Sequence, residues 1–190
     1  MTNLTIDCQS LDLTDEQFYQ LCLNNRNLRF ELNHKGDLVI MSPVGDISSN
    51  RNIEIAYQLQ GWSRKNKTGI AFDSSAGFIL PNGATRSPDA SWIPLTKWHQ
   101  IPDQEKEKFS HICPDFVIEL MSPSDNLKDT QTKMKEYQEN GTKLGWLINR
   151  KDKKVEIYRQ NQVIEILDNP NILSGENILV DFELNLEMIW

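Results

Sequence analysis

The stretch from Asp115 to Asn149 limits the possible folds of this chain more than any other. Phe116-Val117-Ile118-Glu119-Leu120-Met121 is an apolar run interrupted by one carboxylate, and Ser122-Pro123-Ser124-Asp125 breaks it. The segment from about Leu127 to Glu139 is charged, free of glycine and stops before Gly141, as a helix does. Leu144 to Asn149 then reads as a second strand. Strand, helix and strand at this spacing form a crossover, which makes the two strands parallel neighbours. The other strand signals are antiparallel hairpins, so the expected fold class is α/β, with a mixed sheet in a sandwich-like arrangement.

Alternation puts Asp115, Val117, Glu119 and Met121 on one face of the first strand and Phe116, Ile118 and Leu120 on the other. At about 3.3 Å per residue, Asp115 and Glu119 stand roughly 13 Å apart, too far to share an ion whose ligand bonds are about 2 to 2.5 Å. Glu119 therefore needs a partner from another strand. Arg86-Ser87-Pro88-Asp89-Ala90-Ser91-Trp92-Ile93 offers Asp89, which lies just after a proline suited to a strand start. Two carboxylates in strand segments are costly to bury, and a shared divalent cation would compensate both. Two plainer readings stand beside this one: Asp89 caps a turn after Pro88, and Glu119 pairs with an arginine such as Arg86.

The remaining elements follow from local signals. Thr14-Asp15-Glu16-Gln17 has the form of a capping box and opens a helix through Leu21 toward Asn24. Leu28 to Leu32 and Leu38 to Met41 form a hairpin around Asn33-His34-Lys35-Gly36-Asp37. Ser48 or Ser49 starts a helix to about Arg64 with Ile55, Leu59 and Trp62 as its buried stripe and Glu54 on its flank. Strands are expected near Ile70 to Asp73, Gly77 to Leu80 and Asp89 to Ile93, the last two joined as a hairpin by Asn82-Gly83. Leu95 to His111 is expected to be irregular, with a helical turn in Glu105 to Phe109. Val155 to Arg159 and Val163 to Leu167 form a hairpin, followed by short apolar pieces at Ile178 to Phe182 and Leu186 to Trp190.

At 190 residues and 38% apolar content the chain can bury one substantial core, and we expect a single domain over 1–190. No apolar run reaches the roughly 20 residues of a membrane span and the N-terminal residues are polar, so a cytosolic protein is expected. Cys8, Cys22 and Cys113 are odd in number and widely spaced, as free thiols are. The three histidines have no zinc-site spacing. A net charge of −7 argues against a nonspecific duplex coat, which needs cations to displace phosphate counterions. Local basic clusters at Arg64-Lys65-Asn66-Lys67 and at Arg150-Lys151 with Lys153-Lys154 fit solvated surface or a backbone contact.

Arg86-Ser87-Pro88-Asp89, the run from Pro114 to Asp125, Lys133 to Tyr137 and Gly145-Trp146-Leu147-Ile148 together resemble the Uma family of restriction-endonuclease-like proteins. That family belongs to the PD-(D/E)XK nuclease-like superfamily. The resemblance implies a restriction-endonuclease-like mixed sheet flanked by helices, here with an N-terminal hairpin and C-terminal antiparallel strands. It makes Glu54 the first-helix acid, Asp89 the motif aspartate and Glu119 the motif glutamate. The chain departs at the lysine: Glu-x-Lys would place it at 121, where Met121 stands, and the family pattern moves it to the following helix, at Lys133. A long side chain can deliver an ammonium from there. Lys135 points about 200° away, so only one of the two can serve; the resemblance favours Lys133, with Gln131 and Lys128 as outside possibilities. Asp125 is expected to cap the helix carrying Lys133, and Tyr137 to orient that lysine or pack in the core. Trp62, Trp92 and Trp146 read as core.

The implied activity is hydrolysis of a phosphodiester in nucleic acid, most naturally DNA, with Mg²⁺ or Mn²⁺. Asp89 and Glu119 would bind the ion, Glu54 would bind it through water or complete a second site, the Leu120 carbonyl would add a neutral ligand and Lys133 would add positive charge. A homodimer would suit two-strand cleavage. Alternatives are a non-cutting nucleic-acid- or protein-binding module and a hydrolase of smaller phosphate esters.

Overall fold

The computed structural model describes residues 4–41 and 45–190. Along the chain the elements are β1 (Leu4–Ile6), α1 (Asp15–Asn24), β2 (Arg29–Leu32), β3 (Leu38–Met41), α2 (Asp46–Asn66), β4 (Gly69–Asp73), β5 (Phe78–Ile79), β6 (Thr85–Arg86) and β7 (Ala90–Pro94). They continue with α3 (Leu95–Trp98), α4 (Asp103–Lys106), β8 (Ser110–His111), β9 (Phe116–Leu120), α5 (Leu127–Glu139), β10 (Leu144–Asn149), β11 (Lys154–Arg159), β12 (Glu165–Asp168), β13 (Ile172–Ser174) and β14 (Glu183–Asn185). One sheet runs β1-β3-β2-β6-β5-β8 and the other runs β12-β11-β10-β9-β7-β4. A separate ribbon pairs β13 with β14.

The second sheet holds the crossover. β9 and β10 are parallel, with Glu119 opposite Leu147, while β7 joins β9 antiparallel on the other side. Burying β9 on both faces requires cover on each. Phe116, Ile118 and Leu120 meet Ile55 and Leu59 of α2 and the apolar C-terminal segment; Val117 and Met121 meet Met134 and Tyr137 of α5 and Phe78 of β5. The expected two faces of this strand are therefore the two larger buried clusters of the described residues; a third lies around Phe18, Phe30 and Leu38. Trp92 and Trp146 are buried, and Trp62 packs against them at the margin while its indole N–H donates to the Val180 carbonyl.

The capping box at the start of α1 forms, with Thr14 Oγ1 accepting from Gln17 N and Gln17 Oε1 accepting from Thr14 N. The β2–β3 hairpin, β4 and the crossover lie where the sequence places them, while α2 begins at Asp46, with Gly45 as its N-cap, ahead of the expected Ser48 or Ser49.

Two local readings are corrected, the partner strand of one hairpin and the cap of α5. The Asn82-Gly83 turn joins β5 to β6, not to β7 (Phe78↔Arg86, Ile79↔Thr85). The chain then crosses between sheets at Ser87-Pro88-Asp89, because Pro88 has no N–H with which to continue a ladder. Ile178 to Phe182 and Leu186 to Trp190 are turns, and the strand is Glu183–Asn185 between them. The short apolar pieces expected there supply Leu179, Phe182, Leu186 and Ile189, which are buried in the α2-side core. The helix carrying Lys133 is capped by Asn126, whose side chain accepts from Lys128 N, while Asp125 accepts from Ser122 N and ties the preceding turn. The three cysteines are free. No helix of the described residues is long and apolar enough to cross a membrane.

Candidate active site

β7 and β9 pair as far as Ala90↔Ile118. The next residue, Asp89, lies in a bend at the end of this ladder, near enough for its charge to act on Glu119. The ladder ends there because Pro88 precedes Asp89. The Leu120 N–H that a further strand residue would have engaged donates instead to Asp89 Oδ2 at 2.8 Å. In an extended strand a residue's N–H and C=O point to the same side, so the Leu120 carbonyl faces the Asp89 side as well. Asp89 is half-buried, and its Oδ1 accepts from Asn52 Nδ2 of α2 at 3.0 Å.

Glu119 is 8% exposed. Its Oε1 lies 2.8 Å from Lys133 Nζ and accepts from the Tyr137 hydroxyl at 3.1 Å. Both partners sit on the α5 face turned to the sheet, four residues apart and hence one turn apart. Lys135 is exposed, as its opposite phase requires. Lys128 is exposed too, and Gln131 donates to Glu156. Tyr137 is fully buried and packs in the core, as expected, while its hydroxyl holds Glu119 and not Lys133, whose ammonium lies 5.8 Å from the ring centroid.

One member of the cluster lies outside every sequence motif. Glu31 of β2 is 3% exposed, and its Oε1 meets Lys133 Nζ at 2.8 Å and accepts from Ser87 N at 2.9 Å. Its Oε2 meets Arg86 Nη1 at 3.0 Å. Arg86 Nε also meets Glu136 Oε2 at 2.6 Å. Arg86 is thus the partner of Glu31 and Glu136, not of Glu119. The available signal was a lone acid in the short apolar strand around Phe30 and Leu32, the same signal that singled out Glu119.

The electrostatics follow from burial and charge count. Glu31, Asp89, Glu119 and Glu136 face two permanent cations, Lys133 and Arg86, an excess of two negative charges; half-exposed His34 adds a third cation to Glu136 only when protonated. Burial pushes Glu119 up to about 7, with Asp89 and Glu31 adding to the rise against Lys133. Burial likewise raises Asp89 above the ordinary carboxyl value, opposed by the Leu120 amide and by Lys133. For Glu31 burial is outweighed by Lys133, Arg86 and the Ser87 amide, which hold it below the ordinary value. Burial alone would lower Lys133, but Glu119 and Glu31 more than reverse this and keep it a cation. Burial and the neighbouring carboxylates push Tyr137 well up, so it remains a proton donor to Glu119.

Among the described residues no three His, Cys, Asp or Glu side chains converge as a preformed metal cage. Glu54 is half-buried; its Oε1 accepts from Gln58 Nε2, and that amide also donates to the Asn185 carbonyl. It lies two residues, about 200° of helix rotation, from Asn52, which touches Asp89. The oxygens near Asp89 are its own carboxylate, that of Glu119, whose titration it influences, and Asn52 Oδ1, which is buried without a donor among the described residues while the same amide's nitrogen donates to Asp89. Two carboxylates with neutral oxygens suit a small, hard divalent ion that keeps several waters. Asp115 takes no part: it is buried and paired with Lys97 and, at 2.7 Å, with Lys143.

A model of the Uma2 family, described as "Putative restriction endonuclease", matches residues 15–187. Among solved structures, the crystal structure of a "putative nuclease belonging to DUF820" from Anabaena variabilis superposes with a TM-score of 0.74. It is 21% identical, with 93% of this chain and 97% of that chain covered. No curated protein matches.

Proposed function

The chain belongs to the Uma2 family of restriction-endonuclease-like proteins, and from that premise we propose that it is a divalent-metal-dependent endonuclease acting on phosphodiester bonds, most naturally those of DNA. The observation that carries this reading is the meeting of Asp89, Glu119 and Lys133 at the end of the β7–β9 ladder. In it, Asp89, Glu119 and the Leu120 carbonyl would hold Mg²⁺, or Mn²⁺ in its place. The bound ion would lower the pKa of a water and offset charge on the scissile phosphate. The excess of negative charge around Glu119 and Asp89, which raises both, is what a cation there would relieve.

Lys133 brings a permanent positive charge to the same place, where a phosphate gains charge as it is attacked. Glu31 keeps that ammonium in position when Glu119 is engaged elsewhere, because Glu31 is fixed by Arg86 and Ser87 N and does not depend on Glu119. Tyr137 donates to Glu119 Oε1, and none of the described hydrogen bonds uses Oε2, which leaves that oxygen for the ion. Glu54 stands outside this set. A symmetric dimer would supply two such sites for two strands.

The test is incubation of the protein with plasmid, single-stranded DNA and RNA in Mg²⁺ or Mn²⁺. Asp89→Ala and Glu119→Ala should each abolish metal-dependent cleavage while retaining the wild-type circular dichroism spectrum; cleavage surviving in either variant rejects the assignment. A second reading, a hydrolase of smaller phosphate esters, is favoured by the net charge of −7. It requires nucleotide or aryl phosphodiester turnover without nucleic-acid cleavage in the same assays.

A further inference from the structure

The α2 side chain that reaches Asp89 is Asn52, an amide from the helix on which the family resemblance leads one to expect an acid. Two contacts define its position. Asn52 Nδ2 donates to Asp89 Oδ1 at 3.0 Å, while the Leu120 amide donates to Asp89 Oδ2 at 2.8 Å. Each oxygen of Asp89 is thereby held by one donor from a different element, which fixes the carboxylate plane and leaves a lone pair on each oxygen. The other end of the amide, Asn52 Oδ1, is buried and receives no hydrogen bond among the described residues. A buried acceptor without a donor is costly, so a protein retains one where something else engages it.

Helix phase explains why Asn52 and not Glu54 occupies this place. Asn52, Ile55 and Leu59 lie at i, i+3 and i+7 on the face of α2 turned to the sheet, and Ile55 and Leu59 are fully buried there. Glu54 and Gln58 lie on the flank that meets the Asn185 backbone, where Gln58 both donates and accepts.

We infer that Asn52 is the positioning residue of the cation site: its amide nitrogen sets the Asp89 carboxylate and its amide oxygen serves the ion's ligand shell in place of a first-helix carboxylate. The inference rests on the function proposed above. It makes the site a two-carboxylate site, with the acidic charge of Glu54 uninvolved in binding.

Mn²⁺ binding to the intact protein, followed by electron paramagnetic resonance of the free ion and by calorimetry, tests it without reference to turnover. Asn52→Leu, which matches the shape and removes both polar ends, should weaken Mn²⁺ binding about tenfold or more. Asn52→Asp, which adds a third carboxylate, should tighten it, by about tenfold at a pH where that group is ionised. Glu54→Gln should leave the affinity within twofold of wild type. Thermal melts show which variants are folded, and Asn52→Asp supplies a gain that misfolding cannot imitate. Wild-type affinity in Asn52→Leu, no tightening in Asn52→Asp, or a loss in Glu54→Gln overturns the role of Asn52 while the endonuclease reading stands. Wild-type protein that binds no Mn²⁺ overturns both.

Discussion

Lys133 places its Nζ 2.8 Å from Glu119 Oε1, across the turn that separates β9 from α5. The same ammonium lies 2.8 Å from Glu31 Oε1, so a residue of the crossover is pinned to a strand of the other sheet. The position that Glu-x-Lys spacing would give to a lysine holds Met121, which packs into the α5-side core, while the ammonium beside Glu119 comes from the next helix.

Replacing this cation should separate the two lysines of α5. Lys133→Met leaves Glu119 and Glu31 without their shared partner, so cleavage should fall by about 10²-fold or more, with a lower melting temperature. Lys135→Met removes an exposed charge and should change stability by no more than about 0.5 kcal/mol, with cleavage intact. Parallel rate and melting measurements on both variants decide the matter; equal losses would remove Lys133 from the site.

The pH dependence of stability has a definite sign at Glu119. Its carboxyl is raised from the ordinary 4.5 to about 7 in the folded protein, chiefly by burial. Between these values the folded state binds more protons than the unfolded state, so Glu119 makes stability fall as pH rises through that window, with the full penalty above about 7. Without metal, Glu119→Gln should therefore melt higher than wild type at pH 8, by about 2–4 °C for each kcal/mol relieved. The difference should shrink toward pH 4.5. Melting curves across this range in chelator provide the check, and a difference that grows toward acid would contradict the assignment.

Arg86 holds two buried acids at once, with contacts of 3.0 Å to Glu31 and 2.6 Å to Glu136. Arg86→Met should cost about 3 kcal/mol or more, because the side chain keeps its bulk while both carboxylates lose a buried counter-charge. Urea denaturation measures the loss. A change under about 1 kcal/mol would mean that Lys133 and water suffice for these acids.

Two glycines next to the core should respond unequally to alanine. A Cβ on Gly69 would collide with the Trp92 indole and the Ile93 carbonyl, neither of which can yield without opening the β4–β7 ladder. At Gly145 the nearest atom, at 2.6 Å, is the terminal methyl of Met134, which can swing aside. Gly145→Ala should cost about 1 kcal/mol and Gly69→Ala about 3 kcal/mol or more in chemical denaturation.

Much of this molecule is legible from residues near one another in sequence. The alternation from Asp115 to Met121 assigns Glu119 to the α5 face and Leu120 to the α2 face, because side-chain direction in a strand has a strict period of two. The crossover length dictates the parallel β9–β10 pair, and the phase of α5 separates Lys133 from Lys135. What only the tertiary structure decides is which distant groups complete the cluster. Glu31 joins it because the first sheet packs over α5, and Asn52, not Glu54, reaches Asp89 because of how α2 is rotated against the second sheet. The hairpin at Asn82-Gly83 belongs to the same category: its turn is local, but its partner strand is chosen by the sheet into which Thr85 and Arg86 fit. Local patterns fix which way a side chain leaves its own backbone, whereas the meeting of two buried charges depends on the packing of whole layers, and no spacing in the chain encodes that directly.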